Sequence, residues 1–210
     1  MKFEDLLKKV GDVPCFSTRF LAAGESLPQI RLQLARWVKD GRLIKIHKGF
    51  YTLAEPYRKI KPELFSIASS LKSPSYISLQ SALSWYGLIP EYVPATTIIT
   101  TGRPQTIETP FGRFEYRHIS KNFFWGYQKV ELSESQQAFV AVAEKALLDL
   151  VYLTSGGDQK EFLEELRLHN LDKFSKDTLR QYAAKSDSPK LRRAVINIEA
   201  IIDEDEGIEL

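Results

Sequence analysis

The sequence predicts an α+β protein in two parts: a small module of three helices and a β-hairpin, followed by a larger mixed domain with a helical end. Three observations carry this. The chain has 210 residues, 43% hydrophobic and 27% charged, which is ordinary globular composition with enough apolar side chain for more than one core. Its charge is segregated: residues 1–62 hold 13 Lys/Arg against 6 Asp/Glu (+7), the remainder 16 against 21 (−5), and the two make the overall +2. The third is a change of pattern, from helical periods and one hairpin to β-branched runs, across the stretch AEPYRKIKP.

In chain order, Phe3, Leu6, Leu7 and Val10 recur at helical spacing and predict a short amphipathic helix. Phe16-Ser17-Thr18 supplies an N-cap hydroxyl for a second short helix, ending near Gly24. Ser26 and Pro28 open a third, which runs to Asp40 and stops at Gly41. Its inward face is predicted as Leu27, Ile30, Leu34, Trp37 and Val38. LIKIH and FYTL, joined by Lys48-Gly49, read as a hairpin. Three helices and a hairpin are the plan of a winged helix-turn-helix, assigned to residues 1–54 and followed by a linker at 55–62.

Residues 63–210 form the α+β domain. A helix runs from Pro62 to Leu71, and another, capped by Ser78, carries Leu79 to Tyr86. Strands are expected at 96–101, 105–109, 113–119, 127–132 and 138–142, the second and third as a hairpin about Pro110-Phe111-Gly112. An apolar helix at 144–153 precedes three more near 158–169, 176–185 and 189–202. The tail from Asp203 carries five acids in eight residues and is expected to fray.

A basic module on an acidic body points to a polyanionic partner, double-stranded DNA. Bidentate forks suit base edges, Gln for adenine and Arg for guanine. Gln29, Arg31 and Gln33 in the first turns of the third helix offer that chemistry, with Ser26 at its start. Arg36, Lys39, Arg42, Lys45 and Lys48 are placed to meet phosphates, and alternation puts Lys45 and His47 on the outer side of their strand.

Catalytic signatures are missing from the sequence, and no enzyme is expected. His47, His118 and His169 have no metal-ligand spacing. Glu115 and Arg117 stand where a metal nuclease strand would need an acid and a lysine. Glu144-Lys145 reads as a structural charge pair, and no GxxxxGK, GxGxxG or GxSxG occurs. Neither metal nor cofactor is expected. The longest apolar stretch is broken by Glu144, Lys145 and Asp149. The first ten residues lack a signal-peptide core, and Cys15 stands alone. A cytoplasmic protein is expected.

The aromatics from Phe111 to Tyr127 read mostly as core. Arg113, Arg117, His118 and Trp125 among them are taken as a partner surface, since aromatics with arginine dominate interface hot spots.

The strings RLQLARWVKDGRLIKIHKGFYTL, SALSWYGLIPEYVPATTIITTGRP, TPFGRFEYRHISKNFFWGY and AEKALLDLVYL, in this order, resemble the AbiEi-type antitoxins of bacterial type IV toxin–antitoxin (abortive infection) systems. The resemblance implies a transcriptional autorepressor whose first domain binds inverted repeats in its own promoter. It also implies a second domain that counters a nucleotidyltransferase-type toxin without requiring a stable complex. Arg113, Arg117, His118 and Trp125 are the antitoxic surface on that reading. The chain is not the toxin, because it has no Gly-Ser dipeptide for a nucleotidyltransferase loop. The alternative is a ligand-responsive winged-helix transcription factor with no toxin partner.

Overall fold

The computed structural model describes residues 1–22, 26–91, 93–133, 136–171 and 174–206. They form a mixed α+β structure with two sheets. The first part runs α1 (Phe3–Val10), β1 (Phe16–Ser17), α2 (Thr18–Leu21), α3 (Leu27–Lys39), β2 (Leu43–His47) and β3 (Phe50–Leu53). Its strands order as β1-β3-β2, all antiparallel. The apolar period of each helix closes one core, in which Leu6, Val10, Ile30, Leu34, Trp37 and Tyr51 are buried. Leu27 departs from the expected face: at the first turn of α3 it overhangs this core and is 38% exposed. Between β2 and β3 the turn Lys48-Gly49 puts Gly49 at φ +72°, where a side chain would be strained. The register slips between Lys45 and His47, so simple alternation fails there.

The second part comprises α4 (Leu64–Leu71), β4 (Ser75–Ile77), α5 (Leu79–Trp85), β5 (Ala95–Thr100), β6 (Gln105–Thr109), β7 (Gly112–His118), a 3-10 turn at Lys121–Phe123, β8 (Tyr127–Glu131) and β9 (Gln137–Ala141). It closes with α6 (Ala143–Leu153), α7 (Lys160–Glu165), α8 (Lys176–Ser186) and α9 (Pro189–Glu206). The six strands order as β6-β7-β5-β4-β9-β8, with parallel pairs at β7-β5 and β4-β9. Strand alternation sends neighbouring residues to opposite faces. Tyr116 therefore faces α4, donating its hydroxyl to Ala68 O at 2.7 Å. Tyr76 faces the other side and donates to Asp149 of α6 at 2.9 Å.

Two departures come from length. β1 and β4 are too short to show a period, and α7 fills six residues of the twelve expected. The acidic tail does not begin to fray at Asp203: α9 continues to Glu206, with Asp203 paired to Lys176 at 2.7 Å and Glu204 to Lys160 at 3.3 Å. Residues 207–210, and the expected helix end at Gly24, lie outside the described residues.

The two parts touch. Ile46 of β2 is 2% exposed and belongs to the larger core, with Cys15 and Phe50 packed against it. Between them, Lys59 pairs with Asp12 at 2.9 Å. The buried Gln136 accepts from Glu63 N and donates to Lys61 O, both at 2.9 Å. Among the described residues no helix is long and apolar enough to cross a membrane.

Candidate nucleic-acid interface

Core packing fixes which side of α3 is outside. With Ile30, Leu34 and Trp37 turned inward, the 100° step per residue leaves Gln29, Arg31, Arg36 and Lys39 exposed. Ser26 is the N-cap residue, exposed, and its hydroxyl makes no capping bond. The adjoining hairpin exposes Lys45 and Lys48. None of these cations is ion-paired among the described residues. Gathering unneutralised positive charge on one side costs self-repulsion, which a polyanion relieves.

Two of the residues expected here turn elsewhere. Gln33 lies on the flank of α3 that faces the chain start, where its amide donates to Met1 O at 2.9 Å. Arg42 is half-buried, its guanidinium 4.9 Å from the centre of the Phe3 ring. Helical angle alone does not reveal either contact, because both depend on where α1 packs.

The structure adds residues that sequence reasoning missed. Thr18 N donates to Gly49 O at 2.8 Å, and its hydroxyl reaches the same carbonyl at 3.2 Å. This seats the start of α2 on the hairpin turn. Arg19 is thereby brought beside Arg31, His47 and Lys48, and the four line a cleft of about 590 Å³ with Ser17, Thr18, Ser70 and Leu71. The last two belong to α4, so both parts of the chain form its walls. Leu32 is also exposed at 55%, at the centre of the outward side of α3. An apolar contact there suits a thymine methyl group.

Residues 4–54 match the AbiEi antitoxin family of transcriptional regulators. The resemblance read from the sequence is thus borne out over α1 to β3. The AbiEi match takes in all of α3 and the hairpin, and it stops before the second part. The chain matches no curated protein.

Beyond the matched segment, the four residues expected to form one surface are not brought together. Arg113, Glu115 and Arg117 share one face of β7, and Arg113 pairs with Glu115 at 2.9 Å and with Glu108 at 3.5 Å. Arg117 lines a separate cleft of about 480 Å³ over that face, between β5, β7 and the helices α5 to α7. His118 alternates to the opposite face and contacts Gly102 O at 2.9 Å. Trp125 lies against α8, edge-on to Tyr182 at 5.0 Å and beneath Lys185 Nζ at 4.3 Å.

A buried polar cluster sits at the centre of this part. Lys145 and Asp149, each 1% exposed, form an ion pair one helical turn apart. Asp149 also accepts from Ser78 Oγ at 2.8 Å, so Ser78 serves α6 rather than capping α5. Burial pushes Asp149 up and Lys145 down, each toward its neutral form, while their mutual attraction opposes the change. Glu144 accepts from Ser175 N at 2.7 Å, which places α8. Gly126, at φ +76°, lies where a Cβ would come within 2.9 Å of Lys145 Cγ. Among the described residues no three His, Cys, Asp or Glu side chains are placed to hold a metal.

Proposed function

We propose that the protein is a non-enzymatic DNA-binding antitoxin that represses transcription of its own type IV toxin–antitoxin operon in the cytoplasm. Residues 1–54 act as a winged helix-turn-helix: α3 enters the major groove and the β2–β3 hairpin is the wing. Residues 63–210, reached through 55–62, counter a nucleotidyltransferase-type toxin. The carrying observation is the exposure of Gln29, Arg31, Arg36 and Lys39 around the outward side of α3 beside Lys45 and Lys48, with none of these cations ion-paired among the described residues. The family match over residues 4–54 supports the regulatory and antitoxin roles.

The test is titration of the full chain against duplex DNA from its own upstream region at two salt concentrations. Binding that weakens steeply with salt is expected, since each phosphate contact releases counterions. Co-expression with the neighbouring toxin gene, scored by growth, tests the antitoxin half. Binding that is absent or salt-insensitive removes the repressor, and failure to restore growth removes the antitoxin.

A second reading, a ligand-responsive transcription factor without a toxin, is favoured by the cleft that Arg117 and Glu115 line. Its mark would be a small molecule that raises the melting temperature and changes DNA affinity, with no toxin gene alongside.

A further inference from the structure

The cationic cleft does not end at the first part of the chain. Ser70 and Leu71 form its far wall, and Lys72 is the next residue. The Lys72 amine donates to Arg103 O, and its stem passes the neighbouring Gly102. His118 holds the same turn through Gly102 O. That bond occupies one of the three lysine donors, and the ammonium also lies 5.5 Å from the centre of the Tyr116 ring, so a further acceptor would share it with that contact. Arg103 is solvent-exposed just ahead of β6, the strand of the larger sheet that lies beside β2.

Charge pairing sets this cluster, together with Arg117, Lys121, Lys185 and Lys190, apart from the other described cations of the second part. Arg113, Lys129, Lys160, Arg167, Arg192 and Arg193 each meet a carboxylate. Lys72 and Arg103 meet none among the described residues, although the body carries net −5. Ile46 packs into the larger core, so the hairpin is seated on the second part.

We propose that the phosphate-binding surface crosses from the first part onto the second: Lys72 and Arg103 contact the backbone of duplex DNA flanking the segment read by α3, and His118 positions their turn. The proposal rests on the DNA-binding reading above and extends it to residues outside the family match.

The experiment measures affinity of the full chain for the upstream duplex and for a scrambled duplex over a salt series. It compares wild type, Arg103→Ala, Arg103→Glu, Lys48→Ala and Lys129→Ala. Arg103→Ala is expected to reduce the slope of log affinity against log salt by about one unit, on both duplexes alike. Arg103→Glu should reduce affinity further, with the melting temperature unchanged in both. Lys129, on β8 and paired with Glu131, should have no effect when replaced. Wild-type slope and affinity in both Arg103 variants, with a reduced slope in Lys48→Ala, would overturn the extension and leave the DNA-binding reading intact. Salt-insensitive wild-type binding would overturn both. A loss confined to the upstream duplex would also overturn it, since a phosphate contact carries no sequence preference.

Discussion

Trp37 closes the first core from the α3 side, edge-on to Phe3 with ring centres 5.4 Å apart, and is 9% exposed. Trp37→Ala should therefore leave a cavity costing about 3–5 kcal/mol, a large part of what a small domain has. A melting curve unchanged by the substitution would contradict this packing. Asp149 presents a different balance. Asp149→Asn strands the Lys145 ammonium in a buried site and should cost about 3–5 kcal/mol. Replacing the pair together, Lys145→Met with Asp149→Leu, should recover much of that loss, because the desolvation penalty disappears with the charges. Urea unfolding of the single and double variants distinguishes them: equal losses in both would mean that the hydroxyls of Tyr76 and Ser78, left without their acceptor in the double variant alone, offset the gain from removing the charges. The sequence shows Lys145 and Asp149 at helical spacing, yet it does not show that α6 is buried on every side, because that depends on the sheet and on α8.

At the scale of elements, α3 and the hairpin divide the work of recognition. Arg31→Ala should reduce discrimination at one base pair on the order of tenfold, while Lys45→Ala should weaken all sequences alike and lower the salt slope by about one unit. Titrating both variants against single-base operator changes checks this, and a sequence-specific loss in Lys45→Ala would reverse the assignment. The helices with an internal period, α1, α3 and α6, are legible in the sequence, as are β2, β3 and the β6–β7 hairpin. β1 and β4 are not, since two or three residues carry no alternation and their geometry is imposed by β3 and β5. The same limit applies to the candidate site. Arg31 and Lys48 are recognisable by residue type and position. Arg19 is not, because Thr18 and Gly49, 31 residues apart, bring it to the hairpin.

At the scale of the molecule, the contact between the two parts contains a built-in reporter. Cys15 packs against the larger core, and burial pushes its thiol up to about 11. The thiolate is the reactive form, so alkylation of the native chain should be slow at pH 8 and rise with a midpoint near 11. In the unfolded chain the same group ionises in the ordinary thiol range. The folded state thus holds a proton that the unfolded state releases, and this contribution to stability falls as pH rises toward 11. A midpoint near the ordinary value would mean that Cys15 is open to water and that the parts separate readily.

Gln136 bears on how such chains exchange their parts. One side chain, from just before β9, holds the backbone on both sides of Pro62. A recombinant protein that joins a foreign recognition module ahead of residue 63 keeps the acceptor for Glu63 N, while the partner of the other half of the amide now depends on the graft. If the incoming chain places no carbonyl where Lys61 stood, a buried N–H is left without an acceptor, a cost of roughly 1–3 kcal/mol. Transplants that retain residues 59–62 should fold better than those cut flush at residue 62, so the practical unit of inheritance is the module together with its last four residues.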